Sequence, residues 1–352
     1  MTTDRSAASG NGTTYPRITV AAVQASSAFL DLERSTRKAC DLVRECGRGG
    51  ADLVAFPEGF LPGHPTWFHF HTATSPFGNQ LTSRLFRESV QVPGPETEAI
   101  GEAARDADAW VVIGVCERVR GTDGTLFNTQ LYFAPDGRLV GRHRKLTPTA
   151  GERLVHTGGH GDTFGTFDTP FGPMSSLVCG ENTNPLAIFA LAAEHTRVHV
   201  MSWPPHLAPT SRPMVDRVSV ASQAFATMAK CFVVSSCGVV DDELIELVRP
   251  DDKGLAFLRD PAMTGGSLVA APNGTVVAGP LGAEPGVLYA ELDLGATVAA
   301  KVRADYAGHY NRPDVFQLRV NRSAPRLYEV VGDTPSAPTA PFQPADVRDE
   351  EI

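Results

Sequence analysis

Short apolar runs alternate with longer amphipathic stretches along most of the chain. A short apolar run that ends in Gly, Pro or a charged residue is typical of a buried strand. Apolar residues spaced three and four apart are typical of a helix that covers a sheet. The predicted strands are 17–25, 51–58, 110–116, 162–168, 172–178, 198–203, 231–237 and 286–293, and the predicted helices are 30–46, 97–106, 185–195 and 212–230.

Two Pro-Asx-Gly turns predict hairpins, one in each half of the chain. The hairpins are 126–143, around Pro135-Asp-Gly137, and 266–279, around Pro272-Asn-Gly274. This turn chemistry favours a tight reversal between antiparallel strands. Because helix, strand and hairpin recur in both halves, we predict an α/β protein of two similar halves folded into one domain. The sheets would be stacked, with the helices outside them.

Three stretches are predicted to lie outside this framework. Residues 1–16 are small and polar, which is typical of a disordered lead-in. Residues 332–352 are rich in Pro, Ala, Asp and Glu, which is typical of a flexible acidic tail. The charged stretch 241–253 is expected to be a solvated loop. Residues 17–331 are therefore predicted to form a single domain.

Composition and charge exclude several classes of protein. The chain has 352 residues, of which 42% are apolar and 20% charged, as in ordinary globular proteins. A net charge of −9 without a long basic run argues against nucleic acid or a membrane surface as partner. No apolar stretch reaches the roughly 18 residues that span a bilayer, and the polar N-terminus does not resemble a signal peptide. Six scattered cysteines without a CxxC pair indicate reduced thiols, so we expect a cytoplasmic protein.

Cys179 stands where an apolar strand meets a turn and a helix. Gly180 permits a sharp bend, and Pro185 occupies the position where a helix would start. Free backbone N–H groups and a helix N-terminus at such a junction favour a thiolate and can stabilise an oxyanion. The alternative is a buried, inert thiol, which is the common state of a free cysteine.

Two other strand ends carry reactive groups, Glu58 and Lys145. Ligand sites in open α/β sheets form at the carboxyl ends of strands, so we expect these groups to meet Cys179. Together they suit acyl transfer, with Cys179 as nucleophile, Glu58 as the base that takes its proton, and Lys145 as a fixed positive charge. Glu152 adds a supporting carboxylate, and the Gly180 N–H adds an oxyanion donor.

Three motifs resemble the signatures of the nitrilase, or carbon–nitrogen hydrolase, superfamily. They are Phe56-Pro-Glu58 with Pro62-Gly-His-Pro65, Arg144-Lys145 with Glu152-Arg153, and Cys179-Gly-Glu-Asn182. Gly308-His-Tyr-Asn-Arg-Pro-Asp314 resembles a C-terminal motif of true nitrilases. The resemblance covers about residues 17–320. It implies a four-layer α-β-β-α sandwich, no cofactor or metal, and homodimers that often assemble further into spirals.

The resemblance implies that Glu58, Lys145 and Cys179 are a catalytic triad supported by Glu152. The implied reaction converts a small organic nitrile to a carboxylic acid and ammonia through a thioimidate and a thioester on the cysteine. Many nitrilases have Trp directly after the nucleophile, and Gly180 departs from that pattern, which leaves the pocket shape open. The alternatives are an amidase or carbamoyl-hydrolase, cyanide hydrolysis or hydration, a silent scaffold, and a metal protein using His64, His69 and His71.

Aromatic side chains near the strand ends are candidates to line the acyl pocket. They are Trp67, Phe68, Phe70, Trp203 and His206. Large rings beside a strand-end carboxylate suit a small apolar site, whereas plain packing is the alternative for each of them. His309 and Tyr310 are expected to be structural and to tie the C-terminal segment to the core.

Overall fold

The computed structural model describes residues 15–72, 74–326, 328, 329 and 331. The predicted tail 332–352 and all but two residues of the predicted lead-in 1–16 lie outside these residues. The strands are β1 Arg17–Gln24, β2 Leu53–Ala55, β3 Val90–Gln91, β4 Trp110–Arg118, β5 Leu126–Phe133, β6 Leu139–Arg144, β7 Met174–Val178, β8 Val198–Trp203, β9 Phe232–Cys237, β10 Leu268–Ala270, β11 Val276–Ala278 and β12 Gly286–Asp293. The helices are α1 Leu32–Arg48, α2 Pro76–Arg87, α3 Pro95–Ala107, α4 Pro185–Ala193, α5 Met214–Ala229, α6 Asp242–Val248, α7 Asp252–Leu258 and α8 Ala296–Arg303.

Two mixed sheets contain these strands. The first has the order β12-β1-β2-β4-β5-β6, with β3 paired to β4, and the second has the order β11-β10-β9-β8-β7. In the first sheet β1, β2 and β4 are parallel and lead into the antiparallel strands β5 and β6. In the second, β7, β8 and β9 are parallel and lead into antiparallel β10 and β11. Both predicted hairpins therefore sit at equivalent places in two similar halves.

Side chains alternate between two faces along each sheet and so define four layers. In β2, Val54 packs with α1 and α3, whereas its neighbours Leu53 and Ala55 pack between the sheets. In β9, Val233 packs with α4 and α5, whereas Val234 faces the first sheet. Since strand residues alternate in direction, each sheet is covered by helices on one face and by the other sheet on its second face. The predicted α-β-β-α sandwich is confirmed.

The prediction of a solvated loop over 241–253 is wrong. The stretch contains α6 and the first two residues of α7. Each helix begins after an aspartate whose side chain accepts a backbone N–H bond. Asp241 accepts from Leu244 N at 2.9 Å, and Asp251 accepts from Gly254 N at 2.8 Å. These carboxylates cap helices rather than form a charged solvent face, while Leu244 and Leu258 are buried beneath them.

The prediction of a strand over 162–168 is also wrong. The segment forms a short 3-10 turn, Gly161–Thr163, and a single bridge between Phe167 and Met174. Gly165 has a φ of 156°, which breaks an extended strand at its centre. The helices α2 and α8 were not predicted. No helix in the described part of the chain is long and apolar enough to span a bilayer.

Candidate active site

Three strand ends meet at one cavity of about 290 Å³. Glu58 follows β2 and Lys145 follows β6, both in the first sheet, whereas Cys179 follows β7 in the second sheet. All three residues line the cavity together with Glu152. The structure therefore brings together the four residues that the sequence singled out. The sheets are fixed to each other here, because the Glu58 N–H donates to the Trp203 carbonyl at 3.2 Å.

A glycine on the neighbouring strand determines where Glu58 can lie. A Cβ atom at Gly114 of β4 would lie 2.4 Å from the Pro57 carbonyl oxygen and 2.6 Å from the Gly59 nitrogen. Gly59 itself has a φ of 58°, in the left-handed region that favours glycine. The chain around Glu58 therefore packs directly on β4, which places the carboxylate at the end of the sheet.

Glu58, Lys145 and Glu152 form a buried ion triplet. The Lys145 ammonium lies 2.8 Å from Glu58 Oε1 and 2.6 Å from Glu152 Oε2, and each of the three residues is at most 2% exposed. Burial by itself would lower the pKa of Lys145, but the two carboxylates outweigh it and hold that pKa well above its usual value. The lysine therefore stays cationic beside the nucleophile.

Asn128 connects the two carboxylates and was not predicted as a site residue. Its Nδ2 donates to Glu58 Oε1 and to Glu152 Oε1, both at 2.7 Å. The backbone carbonyl of Asn128 accepts from the backbone N–H of Lys145 at 2.8 Å, which extends the pairing of β5 with the hairpin's second arm past the end of β6. His156 adds a contact of 3.1 Å between its Nδ1 and Glu152 Oε1. A polar amide inside the fully buried strand β5 is the sequence signal that could have identified Asn128.

The two carboxylates have different proton affinities. Burial raises the pKa of Glu58, and the opposing effect of Lys145 does not cancel the rise. Burial also acts to raise the pKa of Glu152, but Lys145 and His156 outweigh it and hold that pKa well below the usual value. Glu152 therefore stays ionised and holds the lysine, whereas Glu58 is the carboxylate suited to accept a proton.

Cys179 starts a 3-10 turn, Cys179–Thr183, with a φ of 52°, and it is 6% exposed. Burial raises the pKa of its thiol well above the usual value, and the Glu58 charge adds to the rise. The opposing effects of Lys145 and the Gly180 N–H are smaller. Desolvation therefore outweighs the helix-end environment, which by itself would favour a thiolate. A protonated thiol needs a base when it reacts.

Glu181 joins the nucleophile turn to the lysine loop. Its Oε1 accepts from the Leu146 N–H at 2.6 Å, and its Oε2 accepts from the Val178 N–H at 3.1 Å. His143 Nε2 lies 3.1 Å from the same Oε2 atom. Glu181 therefore holds the backbone that carries Lys145 and Cys179.

Three of the five predicted aromatic wall residues line the cavity, namely Phe68, Trp203 and His206. Trp67 does not line it, because its ring packs against Phe29 and its Nε1 donates to Thr82 at 3.3 Å. Phe70 does not line it either and packs against His206 and Phe257. The loop forms a 3-10 turn, Thr66–His69, which directs neighbouring rings to different sides.

The remaining wall of the cavity is more polar than expected. Thr149, Thr183, Ser211 and Arg217 line it together with His64 and His69. A Cβ atom at Gly180 would meet only Thr149 Oγ1, at 3.4 Å. The position at which many nitrilases carry Trp therefore opens into free space.

One group within the described residues has the geometry of cation ligands. Oxygen and nitrogen atoms of Glu58, His64 and Glu152 lie within 4.8 Å of one another. Lys145 already bonds both carboxylates, so the ammonium supplies the positive charge that a metal would bring. The predicted alternative set of His64, His69 and His71 is not brought together, since His71 Nε2 instead lies 2.6 Å from the Val248 carbonyl.

His309 and Tyr310 do not tie the C-terminal segment to the core. Both side chains are exposed, Tyr310 by 62%. Their ring contacts are with each other and with Tyr306. The turn that carries them is closed by its own backbone bonds, such as that from the Tyr310 N–H to the Asp305 carbonyl.

Comparisons with known proteins agree with this architecture. A family model described as carbon–nitrogen hydrolase matches residues 19–302. A nitrilase of Pseudomonas syringae pv. syringae is 36% identical over 91% of this chain and 93% of its own. An aliphatic nitrilase of Rhodococcus rhodochrous is 36% identical over 86% of this chain and 82% of its own. A carbon–nitrogen hydrolase structure from Helicobacter pylori shares the fold, with a TM-score of 0.65 at 18% identity over 85% of this chain and 96% of that one.

Proposed function

Because the chain belongs to the carbon–nitrogen hydrolase family, we propose that it is a nitrilase that converts an organic nitrile to a carboxylic acid and ammonia. The observation that carries the proposal is the buried Glu58–Lys145–Glu152 triplet at the cavity of Cys179. Cys179 is the nucleophile, Glu58 is a base whose pKa is raised, and Lys145 is a permanent cation. The names of the two nitrilase relatives support the choice of a nitrile as substrate.

The first stage forms a thioimidate. The Cys179 sulfur attacks the nitrile carbon, and the thiol proton passes through Glu58 to the nitrile nitrogen. A water molecule then adds to the same carbon, and Glu58 transfers one of its protons to the nitrogen. The proton of the new hydroxyl group follows as the C–N bond breaks. Ammonia leaves, and a thioester remains on Cys179.

The second stage releases the acid. Another water molecule loses a proton to Glu58 and adds to the thioester carbon. The C–S bond breaks, and the sulfur recovers its proton from Glu58. Negative charge develops on the substrate oxygen while the carbon is tetrahedral, and Lys145 and the Gly180 N–H stabilise it. Each residue returns to its starting protonation state, so no cofactor enters the balance.

A panel of nitriles and their matching amides tests this proposal. The cavity of about 290 Å³ is at the small end of ligand pockets, so the panel contains short aliphatic, arylaliphatic and aromatic pairs and cyanide. We expect ammonia and acid from at least one nitrile, at a rate well above that from its amide. The reverse order would identify an amidase, and release from cyanide alone would identify cyanide hydrolysis.

Asn128 is expected to set the acid limb of the pH profile. Its N–H bond to Glu58 stabilises the ionised carboxylate, so Asn128→Leu should raise the pKa of Glu58 further. Glu58 must be ionised to take a proton, so activity is lost as pH falls through this pKa. The midpoint of the acid limb in kcat/KM should therefore move to higher pH. The matched control is Tyr132→Phe in the same strand, which bonds Ser176 away from the site and should leave the midpoint unchanged.

A further inference from the structure

A series of hydrogen-bonded, buried polar side chains lies behind the nucleophile, outside the cavity. Ser175 Oγ lies 2.8 Å from Thr196 Oγ1 and 2.7 Å from His199 Nδ1. His199 Nε2 lies 2.9 Å from Asn182 Oδ1, and Asn182 Nδ2 donates to the Cys179 carbonyl at 3.0 Å. Each of the four side chains is at most 1% exposed. The steps of the proposed mechanism do not use them.

From Ser175 to the Cys179 carbonyl, a donor and an acceptor can be assigned in each hydrogen bond of this series. Asn182 Nδ2 also donates to the Leu177 carbonyl at 3.1 Å, so its amide orientation is fixed by two acceptors. Asn182 Oδ1 can only accept, so His199 Nε2 must carry a proton. Burial holds the pKa of His199 well below its usual value, so the ring is neutral and Nδ1 accepts from Ser175. His199 is held in place by Phe225, whose ring stacks on it at 3.8 Å.

This series of hydrogen bonds ends at the peptide group between Cys179 and Gly180. In a planar trans peptide the C=O and N–H groups point in opposite directions. Asn182 holds the Cys179 carbonyl on the buried side, so the Gly180 N–H is directed to the opposite side. The same N–H acts on the Cys179 sulfur, where it opposes the rise of the thiol pKa. Cys179 has a positive φ, which few residues other than glycine adopt, so its peptide needs such support.

We propose that Asn182 and His199 are positioning residues that orient the Gly180 N–H as an oxyanion donor. They act through the Cys179–Gly180 peptide and touch neither substrate nor thiol. The inference rests on the proposed nucleophilic role of Cys179, and it holds for a nitrile or an amide substrate alike. Loss of these hydrogen bonds should weaken reactions that place a substrate oxygen of a tetrahedral state at this N–H. Reactions at the sulfur alone should change far less, because the Gly180 N–H affects the thiol less than burial does.

The test variant is His199→Phe in the full-length protein. Phenylalanine keeps a ring that can stack on Phe225 but removes both hydrogen bonds, so Asn182 Oδ1 loses the donor that holds it. Two probes of Cys179 distinguish the roles. Iodoacetamide alkylates sulfur without forming a tetrahedral carbon. Butanal adds the S–H across its C=O bond and forms a thiohemiacetal, whose hydroxyl oxygen on the tetrahedral carbon accepts a bond from the donor. We expect kcat and butanal affinity to fall at least about tenfold, with KM and the alkylation rate within about twofold of wild type.

The control is Ser222→Ala, which likewise removes two buried hydrogen bonds, from a residue on α5, the helix that also carries Phe225. Ser222 bonds Ser235 and the Val218 carbonyl and does not contact Cys179. It should lower the melting temperature but leave both probes unchanged. Conversely, His199→Gln, which restores an N–H donor, should recover part of the butanal affinity.

Three results would overturn the inference. Equal losses in alkylation and butanal binding would show a general structural role, and unchanged values for both would show no role. Failure of butanal to protect wild-type Cys179 from iodoacetamide would mean that no oxyanion site exists. None of these readouts needs a nitrile, so they remain decisive if the substrate panel rejects the proposed function.

Discussion

Cys179→Ala is expected to abolish ammonia release from every nitrile while leaving the fold intact. The variant removes the atom that forms both covalent intermediates, and no other described group in the cavity is a thiol. The remaining residual rate would be that of water in the site, several orders of magnitude lower. The alanine side chain fits the buried position, and the Asn182 bond to the residue 179 carbonyl does not depend on the sulfur.

The measurement is ammonia release together with mass spectrometry after iodoacetamide treatment. Wild-type protein should gain one label on Cys179 well before the other five thiols react, because Cys179 lines a cavity with Glu58, which can take its proton as it reacts. The variant should gain no label on the same timescale. Cys40→Ala is the matched control, because Cys40 is a buried thiol against the Ala99 carbonyl, remote from the cavity. It should retain full turnover. Turnover by the Cys179 variant at the wild-type rate would refute the assignment of the nucleophile.

Lys145→Met is expected to reduce both activity and stability. The substitution leaves Glu58 and Glu152 buried without their common cation, and breaking such a buried pair typically costs about 3–5 kcal/mol. Loss of the charge that stabilises the tetrahedral states should lower kcat by about 100-fold or more. Arg153 lies in the same loop, but its Nε donates to the Pro148 carbonyl at 2.9 Å and not to either carboxylate.

The stability loss should depend on pH with a defined sign. In wild type the depressed pKa of Glu152 stabilises the fold above its unfolded pKa, and this contribution is lost as pH falls. In Lys145→Met the carboxylates lose the cation, so their folded pKa values rise above the unfolded ones. The variant is then most stable at acidic pH and loses stability as pH rises through those values. Melting temperatures at about pH 5 and pH 8 measure the difference.

Two further variants make this prediction specific. Lys145→Met combined with Glu152→Gln removes one of the unpaired charges and should recover part of the stability but none of the activity. Lys38→Met removes a lysine whose ammonium donates to the Ser26 hydroxyl at 3.2 Å and, among the described residues, bonds no carboxylate. It should change neither stability nor activity. A single variant that melts like wild type at both pH values would contradict the view that the triplet is electrostatically coupled.

The sequence predicted the fold wherever periodicity and turn chemistry agreed. Glu58, Lys145 and Cys179 were identified because a reactive group that directly follows an apolar run can be recognised in the sequence alone. The stretch 241–253 failed because a run of charges was taken as solvated, although Asp241 and Asp251 are also helix N-caps. Charge alone does not distinguish these two uses of aspartate, whereas Leu244 and Val248, which lie between them and are buried, indicate a packed helix.

The remaining site residues depend on directions that no periodicity encodes. Asn128 lies within a fully buried strand, and only its pairing with β6 shows that its amide reaches both carboxylates. Trp67 and Phe68 are adjacent in the chain and lie in the same 3-10 helix, which directs their rings to different sides. Of the two, Phe68 lines the cavity. The protonation of Cys179 likewise follows from burial, which depends on the packing of both sheets.

The base and the nucleophile come from different sheets, and this has a consequence for how the protein fails. Glu58 and Lys145 move with the first sheet, whereas Cys179 moves with the second. Several hydrogen bonds hold the sheets together at the site, among them that from Ser202 Oγ to the Phe56 carbonyl at 2.8 Å. A slight slip between the layers would separate proton acceptor from thiol while every strand and helix persisted. Turnover therefore depends on the alignment of the two sheets. Heat or denaturant should abolish activity before the protein unfolds.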